Sequence, residues 1–299
     1  CDFCAFAGTG IPNLQIDEHF GNAVIRRVER SLARHPDTLV VLNNGNILNG
    51  AEMHPATILE HIPRAVAAHP TCGALEIEVS VKDLNAGSTW GRLHTLRKNL
   101  FGKDLRVRVP VEYANDALLA RHHKGITMED VDHAIGALTA GQIPWIGYAL
   151  FGGVGMTAEE SRAATIETGK FIMDQGARML SVNGMFLTRR MQERQRQTGQ
   201  QIYTPSIEDL MEVLKALCEY GEKRETKPLI KLGLAEEDGG LDIANYPYCL
   251  PADDPESRKI MIGVLRDFNG CQQFEVFTVS VIRSWAKEAF HRLPWMRAR

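Results

Sequence analysis

The sequence predicts an α/β protein built on a partial or closed (β/α) barrel. Short apolar runs that end in polar or glycine-rich loops alternate repeatedly with helical patterns, at the spacing that parallel βαβ crossovers require. The glycine loop at 7–12 lacks the G-x-G-x-x-G pattern of a dinucleotide site, and no phosphate-binding loop occurs, which disfavours a doubly wound sheet. The 299 residues are 44% hydrophobic, which is enough to bury one large core.

Each predicted element has a local signature. Strands are predicted where short runs are apolar or rich in β-branched residues, and helices where apolar residues recur every three to four positions. Pro55 suits the first turn of one helix, and Thr127 with Asp130 forms a capping signature before another. The predicted elements are helix 17–33, strand 39–42, helix 56–68, strand 74–81, strand 105–111, helix 127–140, strand 145–151, helix 157–175, strand 179–187 and helix 206–220.

The character of the sequence changes after residue 225. A predicted strand at 229–234 is followed by an acidic glycine loop at 236–240, and 274–282 has a further strand pattern. We therefore interpret 1–225 as the barrel core. We interpret 226–299 as a C-terminal α/β extension that closes the barrel or covers its mouth.

Composition disfavours several classes of protein. The formal net charge of −3 gives no electrostatic footprint for nucleic acid as a default partner, although it leaves a local basic patch open, and no apolar run approaches the roughly 18 residues that a membrane span needs. Six cysteines in a chain of this length are too sparse for a disulfide scaffold, so a reducing cytoplasm is the expected compartment.

Candidate ligand-binding residues follow the predicted strands, where barrels carry their chemistry. They are the loop 43–46, the pair at 82–83, Glu112 and the glycines in 152–155. Glu112 with Lys124, twelve residues later, suits the two charged ends of a zwitterionic amino acid. The alternatives are a simple turn at 43–46, since Asn and Gly tolerate left-handed backbone angles, and a surface pair at 112 and 124.

The first four residues, Cys1-Asp2-Phe3-Cys4, form a Cys-x2-Cys pair with an aromatic before the second cysteine. Such a pair is compatible with a redox dithiol, half of a zinc site, or part of an iron–sulfur site. A zinc site needs a second pair of ligands, and His122 and His123 are adjacent rather than suitably spaced. A thioredoxin-like dithiol normally opens a helix, whereas a glycine loop follows here.

Taken in order, these segments resemble the radical S-adenosylmethionine (SAM) superfamily over roughly 1–225. The resemblance is to the branch of the Elongator catalytic subunit and the radical SAM partner of archaeosine synthase. Residues 1–4 match the end of the cluster motif. Residues 44–49 with Glu52 resemble the family's SGSFLD…E segment, 112–116 its GLE…D strand end, and 123–127 its NKGFT stretch.

Three departures from the family pattern stand out. The first cluster cysteine is expected upstream of residue 1. Val111 replaces the glycine before the strand-end Glu, and 81–83 replaces the Arg-Pro-Glu of the archaeosine branch. These differences affect the expected substrate more than the expected cofactors.

The resemblance implies a [4Fe-4S] cluster and SAM as cofactors. Cys1, Cys4 and the upstream cysteine would hold the cluster. The 5′-deoxyadenosyl radical from reductive SAM cleavage would abstract hydrogen from a small-molecule substrate. SAM would be bound by Phe3 near its adenine, by Asn44, Gly45 and Asn46 near its methionine end, by Glu112 near its ribose or amino group, and by Lys124 near its carboxylate.

Two alternatives remain open at this point. One is a tRNA-base-modifying radical SAM enzyme of the archaeosine or Elongator type. The other is a non-catalytic barrel subunit, if the third cysteine is truly absent. The expected partners are a small-molecule substrate and a reductant protein such as a flavodoxin or ferredoxin, with no membrane. Nucleic acid is less favoured, because the chain is acidic and 226–299 holds no recognisable RNA-binding module.

We predict that a chain carrying its upstream residues binds a [4Fe-4S] cluster after anaerobic reconstitution with iron and sulfide. Cys1→Ala or Cys4→Ala removes a thiolate ligand and should abolish the broad sulfur-to-iron charge-transfer absorption. Cys271→Ala is the matched control and should keep it. An unchanged spectrum in both N-terminal variants would contradict the assignment.

Overall fold

The computed structural model describes residues 17–42, 47–48, 54–185, 187–225, 227–233, 243–245 and 255–272. The predicted cluster ligands Cys1 and Cys4 lie outside the described residues. The same holds for Phe3 and for Asn44, Gly45 and Asn46. Of the predicted site, Glu112 and Lys124 are described.

Helices and strands alternate along the described chain. A π-helical turn, Thr57–His61, directly precedes α2. The helices are α1 (Glu18–Leu32), α2 (Ile62–Ala68), α3 (Val81–Leu84), α4 (Gly87–Asn99), α5 (Asp116–Arg121), α6 (Met128–Ala140), α7 (Ala158–Asp174), α8 (Arg189–Thr198), α9 (Ile207–Glu222) and α10 (Pro255–Cys271). The strands are β1 (Thr38–Val41), β2 (Ala74–Glu78), β3 (Asp104–Glu112), β4 (Trp145–Phe151), β5 (Gly153–Val154), β6 (Met179–Gly184), β7 (Leu187–Thr188), β8 (Ile202–Tyr203), β9 (Leu229–Gly233) and β10 (Ile243–Asn245).

The main sheet has six strands in the order β1-β2-β3-β4-β6-β9, and the pairs β1-β2, β2-β3 and β6-β9 are parallel. Strand order therefore follows chain order, without the reversal that defines a doubly wound sheet. Winding in one direction is how a (β/α) barrel is built. Because β1 and β9 are the outer strands of the described sheet, the barrel is partial, as the sequence predicts.

The chain divides into two compact units. Of the described residues, 17–148 fall in unit 1 and 149–272 in unit 2. In unit 1, α2 and α4 contact β2 and β3. In unit 2, α7 contacts α9 and β6, and Gly169 permits the close approach, since a Cβ there would lie 2.5 Å from a methyl group of Leu217.

The two faces of β2 and β3 differ in chemistry because successive side chains of a strand point to opposite faces. One face is apolar and fully buried, with Leu75, Ile77, Val107, Val109 and Val111. The other, which we call the charged face, carries Glu76, Glu78, Arg106 and Arg108. The register places Glu76 opposite Arg106 and Glu78 opposite Arg108, so opposite charges meet across the two strands.

Side-chain caps fix where several helices begin. Thr127 and Asp130 form a reciprocal capping box at the start of α6, which confirms the capping signature predicted there. Ser206 and Asp209 form a second box at the start of α9. Each box satisfies backbone N–H groups that would otherwise lack acceptors in the first helical turn.

Two predicted strands end earlier than expected. The strand predicted over 74–81 ends at Glu78, because the Ser80 side chain accepts a hydrogen bond from Asp83 N and starts α3. The strand predicted over 179–187 ends at Gly184. The strand predicted over 229–234 is β9, next to β6 in the main sheet, whereas 274–282 lies outside the described residues. Division into a 1–225 core and a 226–299 extension stays a prediction.

Candidate functional site

Glu112, the last residue of β3, has a strained backbone. Its φ of 67° lies in the left-handed region, which residues other than glycine seldom adopt. Tyr113 N donates to Val111 O at 2.9 Å, so the chain closes a three-residue turn centred on Glu112. Such a conformation costs on the order of 1–3 kcal/mol and persists where the surroundings hold it in place. Strain at a strand end marks Glu112 as a functional candidate.

The Glu112 carboxylate is buried and only half satisfied. Its Oε1 forms an ion pair with Lys124 Nζ, whereas Oε2 is buried with no hydrogen-bond partner among the described residues. Burial raises the pKa of the Glu112 carboxyl, and the positive charge of Lys124 opposes that rise. An unpaired buried carboxylate oxygen is costly, so Oε2 is suited to accept a hydrogen bond from a ligand.

The loop between Glu112 and Lys124 is held by a buried aromatic pair. The rings of Tyr113 and His122 stack with centroids 4.7 Å apart, and His122 is 0% exposed. His122 Nδ1 lies 2.8 Å from Leu118 O and must donate to it. Nε2 is then the acceptor, and the Tyr113 hydroxyl lies 3.4 Å from it. The stack joins the residue after Glu112 to a residue just before Lys124, which fixes the spacing of the ion pair.

Further hydrogen bonds hold this loop in place. Asn115 caps α5, Lys124 N donates to Leu119 O at 3.0 Å, and Asp116 Oδ1 accepts from Met128 N at 2.7 Å. The loop is therefore tied both to itself and to the start of α6. In the sequence His122 stands out only by its place next to His123, and no local pattern indicates its packing against Tyr113.

Lys82 is a second ammonium group next to the loop that carries Lys124. Its Nζ lies 2.9 Å from the position that a Cβ would occupy on Gly125, the residue after Lys124. Gly125 has a φ of 65°, so its backbone conformation and the lysine contact both favour glycine there. Of the predicted strand-end residues, the structure thus brings Glu112 and Lys124 into contact and places Lys82 next to their loop. Asp83 instead bonds to Ser80 at the start of α3.

The predicted glycine loop after β4 belongs to unit 2 and is tightly packed. Gly152 has a φ of 108°, and a Cβ there would lie 2.6 Å from Tyr203 O. Its N–H donates to Ser161 Oγ at 2.8 Å, and Gly153 pairs with Tyr203 in an antiparallel ladder. These contacts give the glycines a packing role.

No metal site is present among the residues that the structure describes. None of them form a group of three His, Cys, Asp or Glu side chains that could hold an ion. Cys72 and Cys218 are buried, and Cys271 is exposed. No helix in the described ranges is long and apolar enough to cross a membrane.

The charged face of unit 1 holds a second polar cluster, which the sequence analysis missed. Glu76 Oε2 accepts from Arg108 Nε at 2.9 Å and Nη2 at 2.6 Å, and its Oε1 accepts from Arg106 Nη1 at 3.2 Å. Arg108 Nη1 donates to the Tyr148 hydroxyl at 3.1 Å. Burial raises the pKa of Tyr148 to about 12, with Arg108 opposing the rise. The signal available in the sequence was charge at alternate positions of β2 and β3.

We predict that Lys124→Met raises the pKa of Glu112 further, because it removes the positive charge that stabilises the buried carboxylate. Carbon-13 NMR of glutamate-labelled protein measures the titration directly. Lys215→Met is the matched control, since it removes an exposed ammonium group that pairs with Glu219 in unit 2, and should leave this pKa in place. Equal Glu112 pKa values in wild type and Lys124→Met would contradict the ion pair.

The comparisons with known proteins concern the fold. No family model and no curated protein matches the sequence. The structure is similar to that of archaeal Methanocaldococcus infernus Elp3 with its N-terminus (1–46) deleted, at a TM-score of 0.51 and 13% identity over 83% of this chain and 58% of that one. A radical SAM methyltransferase from Sphaerobacter thermophilus matches at a TM-score of 0.50 and 14% identity over 83% of this chain and 65% of that one.

This chain therefore spans less than two thirds of either protein's length. At such low identity the likeness concerns the fold, and it confirms the predicted resemblance at that level. The chain has the partial (β/α) barrel fold of radical SAM proteins, with an Elp3-like resemblance.

Proposed function

We propose that this chain is a radical SAM enzyme. It cleaves SAM reductively at a [4Fe-4S] cluster and uses the 5′-deoxyadenosyl radical to abstract hydrogen from a small-molecule substrate. The observation that carries the proposal is the half-satisfied Glu112 carboxylate at the end of β3, in a fold shared with radical SAM proteins. The carboxyl ends of barrel strands are where such folds bind their ligands.

Glu112 and Lys124 fit the methionine end of SAM in chemistry. SAM carries an ammonium and a carboxylate on the same carbon, and the chain offers a buried carboxylate oxygen without a partner beside a lysine ammonium. Glu112 Oε2 would accept from the ligand's ammonium or a ribose hydroxyl, and Lys124 Nζ would donate to its carboxylate. Charge-assisted hydrogen bonds of this kind contribute roughly 1.5–3 kcal/mol each.

The rigid loop keeps these two groups ready before the ligand arrives. The Tyr113–His122 stack and the caps of α5 and α6 hold Glu112 and Lys124 in place. Less conformational freedom is then lost on binding, which favours affinity. Phe3 and the loop residues Asn44, Gly45 and Asn46 complete the proposed SAM site.

Cys1 and Cys4, with a third upstream cysteine, are the proposed ligands of the cluster. Thiolates are the ligands that iron–sulfur clusters take in proteins. The cluster, when bound, supplies the electron that cleaves SAM. A flavodoxin or ferredoxin is the proposed source of that electron, and the protein's own part is to orient SAM and exclude water.

The test of this function is product analysis. The reconstituted chain with its upstream residues, given SAM and dithionite under anaerobic conditions, should release 5′-deoxyadenosine and methionine. Cys4→Ala should release neither, while Cys271→Ala should match wild type. A wild-type chain that carries a full cluster and binds SAM without cleaving it would instead favour a non-catalytic barrel subunit. Cleavage stimulated by tRNA would favour the tRNA-modifying alternative.

We predict that Glu112→Gln or Lys124→Met weakens SAM binding by about ten- to a hundredfold, because each removes one charge-assisted contact. The cluster absorption should stay unchanged, since neither residue is a thiolate ligand. SAM titration of each reconstituted variant measures the effect, with Lys215→Met, which removes an exposed ammonium group of unit 2, as the matched control. If the two residues were only an exposed surface pair, they would contribute about 0–1 kcal/mol, and wild-type affinity in both variants would refute their role.

A further inference from the structure

We propose that the charged face of unit 1 contains a binding site for a carbonyl or carboxylate oxygen, formed by the Tyr148 hydroxyl and Arg108 Nη1. The proposal rests on the proposed function only in taking the ligand to be the substrate of the enzyme. Arg108 lies four residues before Glu112, roughly 13 Å along β3. The site is built from other residues than those proposed to contact SAM.

Glu76, one of the two acidic residues on this face, is already neutralised. Glu76 is 2% exposed and accepts three hydrogen bonds, two from Arg108 and one from Arg106. These bonds occupy Nε and Nη2 of Arg108, which leaves Nη1 directed at Tyr148. Glu76 thus holds the guanidinium group in one orientation and aims its remaining nitrogen at the Tyr148 hydroxyl.

The Tyr148 hydroxyl has a hydrogen to donate in addition to the bond that it accepts. A guanidinium group can only donate, so the Tyr148 oxygen accepts from Arg108 and its own O–H is available to donate. Within the described part of the chain, the structure records no acceptor for that O–H. Arg106 Nε is likewise buried without a partner there. An incoming acceptor oxygen would satisfy the Tyr148 donor and reach Arg108 Nη1 as well.

The described residues leave this face of the sheet partly accessible. Residues on the apolar face of β2 and β3 are fully buried, whereas Tyr148, Glu78 and Arg106 are half-buried on the charged face. Val40, which lies opposite Glu76 in the register, is 40% exposed. The inside of a closed barrel is normally filled with bulky apolar side chains. Here the equivalent positions are charged, and Tyr148, Glu78 and Arg106 keep partial exposure.

The charges around Tyr148 define which ligand fits. Formally, Glu76 and Glu78 bring two negative charges to this face, and Arg106 and Arg108 bring two positive charges. A neutral carbonyl or a singly charged carboxylate therefore adds less unbalanced charge than a doubly charged phosphate. The pKa of about 12 keeps the Tyr148 proton in place at any physiological pH, so the hydroxyl remains a donor.

The test uses acetate as a probe of the full chain and needs neither cluster nor SAM. Acetate is titrated at constant ionic strength against chloride, and the arginine Nε–H signals are followed by nitrogen-15 NMR. Wild type should show a saturable shift of the Arg108 signal with millimolar affinity. Tyr148→Phe, which keeps the ring, should weaken that affinity about tenfold. Inorganic phosphate should produce a weaker response than acetate.

Tyr220→Phe is the matched control, because it removes a hydroxyl that donates to Asp174 in unit 2. It should leave acetate binding unchanged. The absence of a saturable shift in wild type, or equal affinity in wild type and Tyr148→Phe, would overturn the site. Neither result depends on SAM cleavage. Acetate titration tests this site, and product analysis after SAM cleavage tests the proposed function. The two can therefore fail independently.

Discussion

The two-residue periodicity of β2 and β3 is the constraint on which unit 1 depends. One set of side chains is apolar and fully buried, and the alternate set carries glutamates and arginines. A shift of either strand by one residue would exchange the two sets and bury the charges in the apolar layer. The pairing of Glu76 with Arg106 and Arg108 therefore specifies the register as well as neutralising charge. Because the register is fixed, β3 ends at Glu112 with its carboxylate on the charged side.

Stability alone does not require a charged face on β2 and β3. Apolar residues of similar size often replace a buried ion pair with no loss of stability or with a gain of roughly 1–4 kcal/mol. The left-handed backbone at Glu112 and its unpaired Oε2 add further local cost. Features that cost stability in this way are typical of ligand-binding sites, and here they occur on the same face of one strand. A ligand-binding role accounts together for the buried ion pairs, the strained Glu112 backbone and the Oε2 atom that lacks a partner among the described residues.

The sequence predicts the fold better than the site, for physical reasons. Apolar periodicity and caps are local signals, so α6 and β3 lie within one or two residues of their predicted bounds. Glu112 and Lys124 were predicted as binding residues from their place after a strand, but their mutual ion pair depends on the path of the loop. The Tyr113–His122 stack and the Arg108–Tyr148 bond join residues nine and forty positions apart. Such contacts need the strand neighbours and register, which no local pattern contains.

Glu112 and Tyr148 need hydrogen-bond partners of opposite kinds. At the end of β3, Glu112 Oε2 is an acceptor without a donor, whereas the Tyr148 hydroxyl, deeper on the face, is a donor without a recorded acceptor among the described residues. The structure records no hydrogen bond between these two groups among the described residues. A ligand with an ammonium or hydroxyl at the strand end and a second ligand with a carbonyl or carboxylate deeper on the face would satisfy both. That arrangement is what an enzyme needs to hold two reactants side by side, and it follows from the chemistry of one strand and its neighbours.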